Sequence, residues 1–274
     1  MESTIFMDAD GTLFFGPRRH GVKIIKEDIG QQKLVTCPEV GETEVLEVTT
    51  ARYATYISIK TIGLLKGLKE DGGRLVLITA GTQQGALRKA QLLPLDHVVC
   101  ENGGIIYDNK MQEDRAWTDY ISIGVENLRT QYQHLLATMP RGVTAEMREA
   151  SIHVRNILLS RDEFTDWGSG MQLTDGLEKV FNYGHFIVHS SRSGKKNAAC
   201  YLTGGNNRST HHIGDDENDL ELFEWVEQAH VLGHANTRVL EVAKRRGYKI
   251  STRRYFDGIN EILIGLNPGH GRKF

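Results

Sequence analysis

The stretch IFMDADGTLF, residues 5–14, decides the reading of this chain: an apolar run, then Asp8 and Asp10 two apart, then Gly11-Thr12. The apolar segment STIFM (3–7) reads as a strand, so both carboxylates fall at its carboxyl end. Carboxylates this close repel, and neither has a basic partner close in sequence. Their ionised forms coexist only where a cation or a proton-sharing role offsets the repulsion. Gly11 permits a tight turn whose backbone N–H groups face an anion.

Working outward, apolar residues in YISIKTIGLLKGLKEDGG (56–73) recur at helical spacing, at Ile57, Ile59, Ile62, Leu65 and Leu68, and Gly72-Gly73 ends the run. RLVLIT (74–79) reads as a buried strand, TQQGALRKAQLL (82–93) as a helix and DHVVC (96–100) as a strand. Strands alternating with helices predict a parallel sheet with crossover helices. The rhythm returns with HHIGDD (211–216), NDLELFEWVEQ (218–228), HVLG (230–233) and TRVLEVAKRRG (237–247); YKIS and INEILIGL then close the core, and NPGHGRKF (267–274) is expected to fray.

Two segments break the pattern. In 103–190, GGIIYDN and DRAWTDY are expected to pair as a hairpin, VENLRTQYQHLLATM forms an amphipathic helix, EASIHVRNILL alternates like a half-exposed strand, and HFIVHSS returns to the core. A smaller insert spans 14–50, where KLVTC and EVLEVTT flank the turn-rich PEVGET as a hairpin. The expected organisation is therefore an α/β core of residues 1–102 and 191–274 carrying an α+β module at 103–190, with a site in the crevice between them.

The 274 residues carry a net charge of −2, which gives no electrostatic footprint for nucleic acid. No apolar run reaches the ~18 residues a membrane span needs. No secretory signal is read at the N-terminus, and Cys37, Cys100 and Cys200 have no paired spacing. The expectation is a cytoplasmic protein that binds neither membrane nor nucleic acid; its oligomeric state is not written in the sequence.

Ligands of open parallel sheets bind beyond the carboxyl ends of the strands. Three strands here deliver Asp8 and Asp10, Thr79, and Asp215, Asp216, Glu217 and Asp219 to such ends. Hard oxygen ligands in this number suit Mg²⁺ completed by water and a substrate phosphate. Thr79 offers a hydroxyl, and Lys195 or Lys196 a mobile positive charge, for phosphoryl oxygens. Competing motifs fail. Counted from Asp8, a calcium loop would need Gly at Leu13 and Glu at Arg19. The Walker loop needs Ser or Thr after its lysine, where Lys196 stands. The histidine pairs of HFIVH (185–189) and HVLGH (230–234) lack a third ligand and read as structural.

These residues resemble the haloacid dehalogenase-like (HAD) superfamily, in its branch of Cof-type, sugar-phosphatase-like enzymes with an α+β cap inserted after the third core strand. DADGTL, LVLIT, GKKNAACYL and GDDENDLELF match its four motifs in order, and ENGGIIYD and HVLGHAN also resemble this branch. The resemblance implies a Rossmann-like parallel-sheet core and an aspartyl-phosphate mechanism. Asp8 would be the nucleophile and Asp10 the acid and base; Thr79 would bind phosphoryl oxygens and Lys195 offset their charge. Asp8, the Asp10 carbonyl and Asp215 would hold Mg²⁺, with Asn218 and Asp219 orienting them. Gly11 and Ala80 would meet the substrate through backbone amides. Arg148 and Arg155, near or on the alternating cap strand with His153, either contact substrate or lie on a solvated face.

The sequence departs from the pattern in reading Ala80-Gly81-Thr82 where Gly-Arg is common, in the adjacent Lys195 and Lys196, and in the length of the 14–50 insert. Lys195 is preferred because Ala198 and Leu202 then take the expected helical offsets. The implied activity is Mg²⁺-dependent hydrolysis of a small phosphomonoester, a sugar or polyol phosphate. A phosphosugar mutase using the same aspartates and a non-catalytic scaffold are the alternatives; phosphate release separates the first from the last, and an isomeric phosphorylated product identifies a mutase.

Overall fold

The computed structural model describes residues 3–27, 32–37, 39–49, 54–182 and 184–267. The expected tail at 268–274 and parts of the 38–50 hairpin, Pro38 and Thr50, lie outside the described residues. In chain order, β1 (Thr4–Met7) and a short helix α1 (Pro17–His20) lead into β2 (Lys23–Glu27), β3 (Gln32–Cys37), β4 (Val40–Thr49) and β5 (Ala54–Ser58). Then come α2 (Ile59–Glu70), β6 (Arg74–Ile78), α3 (Gln83–Ala90), β7 (His97–Cys100), β8 (Ile105–Asp108) and α4 (Arg115–Thr138). A module of β9 (Val143–Met147), β10 (Ser151–Asn156), α5 (Arg161–Gly170), β11 (Leu177–Asn182) and β12 (His185–Ser190) follows. The chain finishes with α6 (Lys195–Leu202), β13 (Thr210–Gly214), a 3-10 turn at Glu217–Asp219, α7 (Leu220–Trp225), β14 (Gln228–Val231), α8 (Thr237–Arg246), β15 (Lys249–Ile250) and α9 (Tyr255–Leu266).

The seven-stranded core sheet has the order β15-β14-β13-β1-β6-β7-β8, parallel except for β8. Side-chain alternation along β1 sends Ile5 and Met7 to one face and Phe6 to the other, and β6 repeats it with Leu75 and Leu77 against Val76 and Ile78. The first face is covered by α2 and α9 through Leu65, Phe256, Ile259 and Leu263; the second takes Ala198, Phe223, Val239 and Ala243 from α6, α7 and α8. Each such fully buried Phe or Leu contributes ~1.5–3 kcal/mol. This is the Rossmann-like α/β core that the strand–helix alternation predicts. β1 lies at the switch point, with β6 on one side and β13 on the other, so three strand ends open onto one crevice.

Several local readings are corrected. Residues 56–58 are not the start of the helix: Ala54–Ser58 is strand β5, and the helix begins at Ile59 because the Ser58 hydroxyl caps it, accepting from Lys60 N at 3.2 Å. β5 completes a four-stranded antiparallel sheet, β2-β3-β4-β5, so the insert is twice the expected hairpin. Its Val35, Val45, Tyr56 and Ile57 are buried in the same apolar cluster as Ile5 and Met7, so it packs as part of the core. DRAWTDY does not pair with GGIIYDN. The Asp114 carboxylate caps α4, accepting from Trp117 N at 3.1 Å, and β8 instead pairs antiparallel with β7 at the edge of the core sheet. HFIVHS forms β12 inside a second antiparallel sheet, β11-β12-β10-β9, and not in the core sheet. That sheet packs on α4 and α5 through Leu128, Leu135, Ile152, Val154, Phe164 and Phe186.

Candidate active site

The turn after β1 is built around Asp215. Gly11 has φ +92°, and a Cβ there would stand 2.4 Å from Asp215 Oδ2, so only glycine admits the carboxylate. Thr12 Oγ1 donates to Asp215 Oδ1 at 3.1 Å, and the ring of His234 bonds Gly11 O through Nε2 at 2.8 Å. His234 thus holds the loop, in keeping with the structural role expected of HVLGH.

Lys195 opens α6 and is buried. Its ammonium donates to Asp8 Oδ1 at 2.7 Å and to Asp219 Oδ1 at 2.6 Å. Lys195, and not the exposed Lys196, is the lysine that meets these carboxylates. Asp219 also meets His212 Nε2 at 3.0 Å and accepts the backbone N–H groups of Asp215 and Asp216, both at 3.2 Å. Burial pushes Asp219 up, but Lys195 and His212 outweigh it and hold the carboxyl well below the usual range. Asp8 has fewer donors. Burial pushes it up to about 7, with Lys195 opposing and the charge of Asp219 adding. Burial alone would lower Lys195, yet Asp219 and Asp8 more than offset it, and its net shift is upward.

One oxygen from each of Asp8, Asp215 and Asp219 lies within 4.8 Å of the others, all buried. Asp219 is committed to Lys195, His212 and two amides, so Asp8 and Asp215 are the carboxylates suited to a hard divalent cation. Glycine at position 11, where any side chain would displace Asp215, fits the same requirement.

Thr79 follows β6. Its hydroxyl accepts from Gly81 N at 3.0 Å, which shapes the Thr79-Ala80-Gly81 turn. Asp10 is less buried and pairs with Lys89 of α3, Nζ to Oδ1 at 2.5 Å. Sequence reading missed Lys89; its position inside the helix read at 82–93 gave no signal. It also missed His212 and Glu101, neither of which belongs to a spacing with chemistry of its own, and gave no role to Thr12 although it closes the DADGT stretch.

A cavity of ≈ 510 Å³ opens above these groups, with Asp8, Asp10, Thr79, Ala80 and Asn218 among its core lining. The α+β module contributes Arg148, His153, Arg155, Asn182 and His185, and the 14–58 region contributes Gly16, Pro17, His20, Ala54 and Thr55. Thus His185, expected to be purely structural, borders the cavity, whereas buried His189 bonds Ser190 O and Ser193 Oγ. Arg148 Nη1 reaches Ala80 O at 3.0 Å and His153 Nε2 at 2.8 Å, an arch from the module onto the core turn. Two further ties cross the same seam. Glu101 Oε2 accepts from Ala150 N at 2.8 Å and Ser151 Oγ at 3.2 Å, and Arg161 meets Glu217 at 3.4 Å. At the two chain crossings, a Cβ on Gly103 would stand 2.3 Å from Gly194 O.

Comparison with known proteins agrees with this arrangement. The profile of the haloacid dehalogenase-like hydrolase family matches residues 183–263. No curated protein matches the sequence. Among solved structures, the sucrose-phosphatase from Synechocystis sp. PCC6803 is 16% identical with a TM-score of 0.63, over 97% of this chain and 99% of its own. A phosphatase of the haloalkanoate enzyme superfamily from Bacteroides thetaiotaomicron is 12% identical at 0.64, over 98% and 95%. A HAD subclass IIB sugar phosphatase is 12% identical at 0.62, over 96% and 98%. These likenesses establish the fold. The family match covers 81 of the 274 residues, in the second half of the chain. No helix among the described residues is long and apolar enough to cross a membrane.

Proposed function

We propose that the chain is a Mg²⁺-dependent phosphohydrolase that cleaves a small phosphomonoester, a sugar or polyol phosphate, through an aspartyl-phosphate on Asp8. The observation that carries this reading is the buried Asp8–Lys195–Asp219 array beside Asp215, with Asp8 on the floor of the cavity. Asp8 attacks phosphorus while the P–O bond to the leaving alcohol breaks, and Asp10 supplies the proton that the alkoxide takes. Asp10 then removes a proton from water as the water oxygen attacks phosphorus. The bond to Asp8 breaks, and phosphate leaves.

Thr79 and the Ala80 amide bind phosphoryl oxygens, and Lys195 balances their charge; the Gly11 N–H, expected to meet the substrate, is instead taken by Phe14 O at 2.9 Å. Asp8, the Asp10 carbonyl and Asp215 would hold the Mg²⁺, oriented by Asn218 and Asp219. The ion would supply Lewis-acid stabilisation of the phosphoryl charge. Residues 103–190 act as a cap over the core of 1–102 and 191–274, with Arg148 and Arg155 on the substrate side. Free Cys37, Cys100 and Cys200 suit the reducing cytoplasm.

The test is phosphate release from an aryl phosphate with and without Mg²⁺, followed by a panel of phosphorylated metabolites. Magnesium-dependent release that vanishes in Asp8→Asn supports the reading; no release from any ester refutes it.

A further inference from the structure

The wall of the cavity facing away from Asp8 is unusual in the kind of hydrogen bond it offers. Arg148 and Arg155 carry guanidinium groups, which only donate. His153 Nε2 lies 2.8 Å from Arg148 Nη1, and since the guanidinium can only donate, Nε2 must accept and the proton sits on Nδ1. Burial, reinforced by Arg148, pulls His153 down to about 2, so the ring stays neutral in this tautomer. His20 Nδ1 accepts from Gly16 N at 3.0 Å, which places its proton on Nε2. Both rings therefore spend their acceptor on the protein and keep an N–H. Among the described residues, no carboxylate from residues 14–58 or 103–190 lines the cavity; its acidic lining, Asp8, Asp10 and Asp216, belongs to the catalytic floor. Glu146 lies 3.4 Å from Arg155 and 3.7 Å from Arg148.

We infer that the donor-rich wall formed by Arg148, Arg155, His153 and His20 selects a phosphomonoester carrying a second anionic group, a carboxylate or another phosphoryl, at the end remote from the scissile ester. Asn182 and Thr55 also line the cavity and can accept from a substrate hydroxyl, so the preference comes from the two guanidinium groups, which a neutral polyol meets without charge. A carboxylate or phosphoryl offers acceptors only and matches the planar fork of Arg155. Arg148 is held against Ala80 O and His153, so it supplies charge, and the less buried Arg155 supplies the direct contact. This inference rests on the phosphohydrolase reading for the orientation of the substrate, with one phosphoryl on the core floor.

Its test is binding, which does not require turnover. The Asp8→Asn variant is titrated with Mg²⁺ and matched pairs: 6-phosphogluconate against glucitol 6-phosphate for the carboxylate, and fructose 1,6-bisphosphate against fructose 6-phosphate for the second phosphoryl. At least one anionic member should bind roughly tenfold or more tightly than its neutral partner, the worth of one charge-assisted hydrogen bond. The pair that shows the preference identifies the anion. Adding Arg155→Ala should remove most of the preference, and Arg155→Lys should restore part of it. Equal affinities within both pairs, or a preference unchanged by Arg155→Ala, overturn the inference. Absence of aryl phosphate hydrolysis by the wild type would refute the activity while leaving this binding result to be judged alone.

Discussion

Lys89 Nζ lies 2.5 Å from Asp10 Oδ1, its side chain buried and its ammonium 5.2 Å from the centroid of the Phe14 ring. A lysine this enclosed is tolerated because the carboxylate neutralises it. The same contact fixes the Asp10 carboxyl, the group assigned to proton transfer, in one orientation. Lys89→Met is expected to lower kcat by roughly 10–100-fold, the value of a charge-assisted contact, with KM little changed. The deficit should grow as the leaving group becomes more basic, and Lys89→Arg should recover part of the rate. Wild-type rates for Lys89→Met on alkyl phosphates would make the pair purely structural.

The metal assignment makes a prediction about glycine. Gly11→Ala sets a methyl group 2.4 Å from Asp215 Oδ2 at a backbone φ of +92°. Saturating Mg²⁺ should raise the Tm of the wild type, by linkage worth about 2.7 kcal/mol at a hundred times Kd. Gly11→Ala and Asp215→Ala should each lose most of that rise. A melting curve unmoved by Mg²⁺ in the wild type would contradict the site.

Lys195 bridges two buried carboxylates, Asp8 and Asp219. Lys195→Met leaves both without it, and removing one partner of a buried pair costs about 3–5 kcal/mol. Adding Asp219→Asn should restore part of the lost Tm while activity stays absent. Urea unfolding of the single and double variants measures both; a double variant no more stable than the single would show that the array does not govern stability.

The histidines set the acid side of the stability profile. His153 is pulled down to about 2 and His230 to about 3, and His189 is also lowered, each chiefly by burial. The folded state therefore binds fewer protons than the unfolded chain, where the ordinary value is 6.5. Stability from these groups is fully present above pH 6.5 and is lost as pH falls below it, at up to about 1.4 kcal/mol per pH unit for each ring. His153→Gln should flatten the slope between pH 6.5 and 5 in urea titrations; an unchanged slope would mean that His153 protonates without cost.

Much of this was legible in the chain. The alternation of strands and helices gave the core because buried parallel strands read as short apolar runs with caps between them. Asp8, Thr79 and Asp215 stand at the ends of such runs, whereas Lys195 was singled out by the family resemblance and by the helical offsets of Ala198 and Leu202. Residues 56–58 were misread because an apolar strand runs without a break into an apolar helix, and the Ser58 cap was the missed signal. Asp114 marked the start of α4 in the same way. Lys89 and Glu101 were not legible at all: their partners lie 79 and 49 residues away, on turns whose course no local pattern specifies.

The direct test of the central claim is rapid-quench trapping with a substrate labelled in its phosphoryl group. Wild-type protein with Mg²⁺ should pass through a transient, acid-stable labelled state that hydroxylamine releases and that maps to the peptide containing Asp8. Asp8→Asn should carry no label, and Asp10→Asn should form and lose it ~10²–10⁴-fold more slowly. Phosphate release by the wild type with no labelled protein at any quench time, or label retained in Asp8→Asn, would contradict the account.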